Sequence, residues 1–206
     1  AEAVVGGLSV LLELAWFSVS AHFLLAIGLV ALAGLCVHRA GSDLAIDDTG
    51  TCDPWLRRSA LAILLGTVWV LIWGTLLTAA GPHGGDELAD RLAWPIPVVA
   101  RWHAVSVDIL VLGVLVVTVL AVRRGAPTPV VRALGRTMAA MVAQGILGYV
   151  QYLRDIPALL VWFHVVGATL VALSVVDLAL SAGVRWRRSR SEEHTSELQS
   201  LRHLVC

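Results

Sequence analysis

The chain has 206 residues, 58% of them hydrophobic, with a mean hydropathy of +0.81 and 15 basic residues balanced by 15 acidic ones. Zero net charge removes any bulk electrostatic case for a nucleic-acid or acidic partner, and soluble domains are only about 45–50% apolar. Several apolar runs reach the roughly 20 residues that cross a bilayer core, without the alternating short segments of a β-barrel. The expected fold is therefore an all-α polytopic membrane protein with the lipid bilayer as its surroundings.

Residues 1–38 are apolar almost throughout, too long for one span of about 17–25 residues. Glu13, followed by Trp16 and Ser18, marks the break. A partial helix over Ala1–Leu12 and a complete span over Phe17–Val37 are expected. The start at Ala1, already inside apolar sequence and without a signal peptide, is read as that of a fragment. Residues 39–58 form a polar loop, and Ser59–Ala80 forms the next span.

A loop with Gly81-Pro82-His83-Gly84-Gly85-Asp86 and Trp94-Pro95-Ile96-Pro97 follows. Proline suits the first turn of a helix, so a span is expected over Pro97–Val122. Further spans are expected over Thr137–Leu153 and Pro157–Ser181, with Arg154-Asp155 as a tight connection between them. Residues 182–188 are a basic end. Residues 189–206 turn polar and resemble translated sequencing-adapter sequence, so they are expected to be non-native, and His194, His203 and Cys206 receive no functional weight. Cys36, Cys52 and Cys206 show no metal-ligand spacing.

All the basic residues are arginines, and most fall in one set of loops, from Arg39, Arg57 and Arg58 to Arg185, Arg187 and Arg188. The opposite set holds only Arg91, Arg101 and Arg154. Positive-inside bias places the first set in the cytoplasm. His22, His103 and His164 then share a depth just below the outer surface of the plasma membrane. An imidazole among hydrocarbon is costly, which makes such residues candidate sites.

His22 and His164 also anchor an internal repeat with an offset of 142 positions. Gly6 aligns with Gly148, Glu13 with Asp155, and Leu14 with Ile156. On this reading residues 59–181 are a complete four-helix unit, the second half of a duplicated eight-helix fold, and residues 1–38 end the first half. Parallel repeats of this kind are familiar in membrane proteins.

Ligands in helical bundles project inward from facing helices, and two imidazoles at one depth suit axial ligation of a haem iron. The alternative for each histidine is a hydrogen bond to a neighbouring helix. Ala104, Gly167 and Ala168 leave room for a flat macrocycle, or equally for close helix packing. Zinc would want a third and fourth ligand at that depth, and none is evident. Arg101 is a candidate partner for a propionate, or a residue that snorkels to the interface. His83 sits either in a flexible turn or in a propionate- or proton-handling loop. Asp108 is read as a hydrogen-bond partner that orients a ligand histidine or as part of a polar seam, and Asp177 as solvated. Gln144, Gln151 and Tyr152 are read as interhelical hydrogen bonds or as lining for the cofactor space.

At these residues the chain resembles the heme A synthase family, particularly its actinobacterial members. The resemblance rests on GPHGGD in an outer loop, on Arg101-Trp102-His103 opening a helix, on the region Gln144–Ala168 ending in His164, and on Gly6-Gly7-Leu8 through His22-Phe23. It implies eight transmembrane helices in two halves. It further implies haem b (iron) held by His103 and His164, and heme O as substrate in the first half with His22 as one of two ligands. The implied reaction oxidises the heme O methyl group to the formyl group of heme A for cytochrome aa3 oxidase assembly, with heme O synthase as a possible partner. The family's first outer loop precedes Ala1, so residues 1–206 alone are expected to be inactive, and the catalytic residues are unknown. No cysteine pair lies between Gly81 and Arg101, unlike in other branches. The competing readings are a dihaem cytochrome-b-like electron carrier and a membrane scaffold that binds no haem.

Overall fold

The computed structural model describes residues 2–42, 53–82 and 89–183, which form six helices: α1 (Glu2–Leu11), α2 (Trp16–Ser42), α3 (Pro54–Ala80), α4 (Ile96–Arg123), α5 (Thr128–Leu153) and α6 (Ala158–Ser181). Five of them, α2 to α6, are long and apolar enough to cross a membrane. Their outward faces carry large exposed side chains such as Leu65, Ile109, Leu112, Leu153 and Leu170. On a multi-pass membrane protein such a surface is solvated by lipid rather than water.

Local chemistry sets the helix ends. Asp53 caps α3 by accepting a hydrogen bond from the Trp55 N–H at 2.9 Å, with Pro54 at the first position. This start lies five residues before the expected Ser59. The start of α5 departs further, at Thr128 rather than Thr137. Arg132 and Arg136, which read as loop arginines, are helical. Arg136 finds a partner in Asp177 of α6, which is therefore paired rather than merely solvated.

The end of α4 has the bonding of a Schellman cap. Gly125 takes a left-handed φ of 65°, the Gly125 N–H donates to the Val122 carbonyl, and the Ala126 N–H donates to the Ala121 carbonyl. The α1–α2 and α5–α6 turns close in the same way but with acidic residues at the glycine position. Glu13 and Leu14 have φ of 54° and 55°; Asp155 and Ile156 have 61° and 56°. The Leu14 N–H donates to the Ser9 carbonyl at 2.9 Å, and the Ile156 N–H to the Gln151 carbonyl at 3.0 Å. Both bonds sit at positions offset by 142, as do the ends of α1 and α5 and the starts of α2 and α6. Two successive left-handed non-glycine residues are costly, at about 1–2 kcal/mol each. Their recurrence at equivalent positions is a shared structural device.

Helices α3 to α6 form a bundle in which α3 touches α4, α4 touches α5, α5 touches α6 and α6 returns to α3. The backbones of the diagonal pairs α4/α6 and α3/α5 stay apart. Helix α2 lies against α3 and α6, with Gly34 closely opposed to Leu173, and among the described residues α1 packs on α2 alone. The core is dense at the arginine-rich end, where Leu56, Val114, Leu134, Val175 and Leu178 are almost fully buried. Arg124 lies 4.4 Å over the Trp55 ring at that same end. Toward the other end the bundle opens.

Candidate functional site

The opening is a cavity of about 400 Å³ among α3, α4, α5 and α6. It falls within the roughly 300–1,000 Å³ of sites for small molecules and cofactors. His103 comes from α4 and His164 from α6, the diagonal helices. Each lies about two turns past its helix start, which puts the two rings at one level. Their ring centres are 6.5 Å apart, with ring planes at 69°.

Each ring is seated on a glycine of the preceding helix. A Cβ at Gly74 of α3 would stand 3.3 Å from His103 Cε1, and one at Gly148 of α5 would stand 3.0 Å from His164 Cε1. Any side chain there would push the ring toward the cavity. The Nδ1 atoms of both histidines are buried without a formed hydrogen bond, as is Gln151 Oε1 on the cavity wall. The Val70 backbone approaches His103 without completing one. Three unsatisfied polar atoms around one largely apolar space are unusual, because buried polar groups are nearly always paired.

The other predicted residues separate. Arg101, Ala104, Gln144, Tyr152 and Ala168 line the cavity. Gln144 Nε2 also donates to the His164 carbonyl at 2.6 Å. Gly167 does not open space for a macrocycle: it faces α5, where a Cβ would run into the Gln144 carboxamide. Asp108 does not support a ligand histidine either. It is exposed, and its Oδ2 accepts from the Tyr149 hydroxyl at 3.3 Å, tying α4 to α5. Its position five residues after His103 turns it about 140° around a helix of 3.6 residues per turn. His83 lies outside the described residues.

His22 stands apart from the cavity. A Cβ at Gly6 would lie 3.1 Å from its Cε1, and the Glu2 carboxylate approaches its Nδ1 to 2.9 Å. The Gly6–His22 seat repeats the Gly148–His164 seat at the same offset. The site thus contains glycines that the sequence reading used only as repeat markers. Gly74 was missed, because nothing in the sequence pairs it with His103 across a long loop.

Among the described residues, no group of three or more histidine, cysteine or acidic side chains gathers to hold a metal ion. A bare ion needs such a group, whereas a ligand that brings its own equatorial donors needs only two axial ones. Two imidazoles ligating one ion from opposite sides have ring centres roughly 6 Å apart, from metal–nitrogen bonds of about 2 Å plus the ring radii. The residues present therefore fit an iron porphyrin: the spacing is right, the donor set suffices, and the glycine seats leave the rings room.

Fold and cavity together define a multi-pass helical membrane protein with a two-histidine site inside a four-helix bundle. Comparison with known protein families, characterised proteins and solved structures finds no match.

Proposed function

We propose that the chain is the C-terminal, haem b-binding part of a heme A synthase, in which His103 and His164 would hold the haem iron. The observation that carries this reading is the diagonal histidine pair, 6.5 Å between ring centres, on a cavity whose donor set suits a porphyrin rather than a bare ion. When bound, the haem supplies one-electron redox chemistry. The chain's own residues do the rest. Gly74 and Gly148 fix the ring positions, the packed core below excludes water, and Arg101 offers a cation to a propionate at the rim. His22 on its Gly6 seat belongs to a second site, where the first half would hold heme O.

The intact enzyme would oxidise the heme O methyl group to the formyl group of heme A. It would lie in the plasma membrane with its haem sites toward the outer face, next to heme O synthase and the assembly of cytochrome aa3 oxidase. Cells that make heme O and carry the gene test this through their extracted haems. Heme A that depends on the gene is expected. Haem b bound to the protein with no heme A formed would identify an electron carrier instead.

A further inference from the structure

Three of the four seams of the bundle are closed at cavity depth by direct contacts between its own helices. Gly66 meets Leu110 and Trp69 donates to Ser106 across α3–α4; Tyr149 meets Asp108 across α4–α5; Gln144 meets the His164 carbonyl across α5–α6. At the α3–α6 seam the two helices also touch, but here α2 packs along the seam from outside. From α2 a single side chain, Phe23, reaches the cavity wall, and every other lining residue described lies between Thr67 and Val171, beyond α2. Phe23 is seven residues past the start of α2, the same distance that separates His103 from the start of α4. It therefore enters at the level of the two rings. Its neighbour His22 turns toward α1 and Gly6 instead, so α2 presents one residue to each side.

We propose that Phe23 is the specificity-determining residue of this cavity. It closes the α3–α6 seam and so admits a plain iron protoporphyrin while excluding one that carries a long isoprenoid tail. The inference rests on the haem reading given above. A phenyl group is large and rigid, with two side-chain torsions, and offers up to about 150–250 Å² of surface. At a seam its removal leaves an apolar slot, the shape that a flexible hydrocarbon tail fills. Hydrophobic pockets discriminate by size at about 10- to 200-fold for small differences in fit, and closure of a slot belongs in that range.

The test uses the full 206-residue chain in detergent micelles, titrated with ferric haem b and separately with ferric haem O, which bears a hydroxyethylfarnesyl tail. Soret absorbance reads binding and circular dichroism reads helix content. The unsubstituted chain is expected to bind haem b at least about tenfold more tightly than haem O. Phe23→Ala should bring the two affinities to within about threefold, mostly by a gain for haem O, and Phe23→Leu should fall between. Phe23→Trp, which adds bulk instead of removing it, should weaken haem b itself and keeps the test decisive if the alanine variant does not fold. Equal affinity for both haems in the unsubstituted chain, or an unchanged preference in Phe23→Ala, overturns the inference and leaves the haem reading intact. Failure to bind either haem, or binding unaffected by His103→Ala with His164→Ala, overturns the haem reading and the inference with it.

Discussion

Gly148→Ala should loosen cofactor binding through a steric contact with the His164 ring. The new methyl carbon would stand 3.0 Å from His164 Cε1, well inside the roughly 3.5–4.0 Å at which carbon atoms attract. The ring must retreat by several tenths of an ångström. In the free protein the cavity side is open and the retreat is cheap. In the loaded protein a ligating ring is fixed by its bond, so the cost falls on the bound state. Overpacking of this size costs typically about 1–3 kcal/mol. The helix gains roughly 0.5–1 kcal/mol from replacing glycine, but that gain is common to free and bound forms and cancels in the affinity. Haem affinity should fall about 5- to 30-fold for a loss of 1–2 kcal/mol.

Gly74→Ala, with 3.3 Å to His103, should show the same effect at smaller size. Gly113→Ala, where an added Cβ meets nothing within 4 Å, should show none. The assay is a haem titration of each purified variant in micelles, followed at the Soret band. Gly148→Ala binding as tightly as Gly113→Ala would refute the argument that the glycines seat the rings.

Gly167→Ala should be destabilising because its methyl runs into the Gln144 carboxamide, and adding Gln144→Ala should recover much of the loss. Thermal unfolding of the two single variants and the double variant measures that coupling, and strict additivity would exclude it. The Arg136–Asp177 pair is 59% and 36% exposed by side chain, so a double-mutant cycle on unfolding should return a coupling of only about 0.2–1 kcal/mol. A larger value would mean that the pair is shielded. His22→Ala should leave the haem spectrum and affinity of the His103–His164 cavity unchanged, because His22 is not among its lining residues. A changed spectrum would mean that the two sites are not separate.

Much of this architecture was legible because hydropathy acts on whole segments. The common level of His103 and His164 along the bundle followed once the spans were drawn. The acidic turns at Glu13 and Asp155 were visible as aligned residues, although their shared left-handed conformation was not. The start of α5 was misjudged because Arg132 and Arg136 look like loop residues. A helix can run past the hydrocarbon, and there an arginine can pair, as Arg136 does with Asp177. The five-residue step from His103 to Asp108 already held the helical angle that turns the carboxylate away. By contrast, the seats at Gly74 and Gly148, the turn of Gly167 toward Gln144, and the entry of Phe23 depend on which helices become neighbours. An apolar helix with an almost uniform surface does not announce its neighbours.

The central claim is that His103 and His164 hold one haem between them. Reduced-minus-oxidised spectra of the full chain, expressed with haem b supplied, test it most directly. A six-coordinate low-spin spectrum is expected, lost on His103→Ala and on His164→Ala taken singly, with helix content preserved. The same low-spin spectrum surviving either substitution, or well-folded protein with no haem, would contradict it.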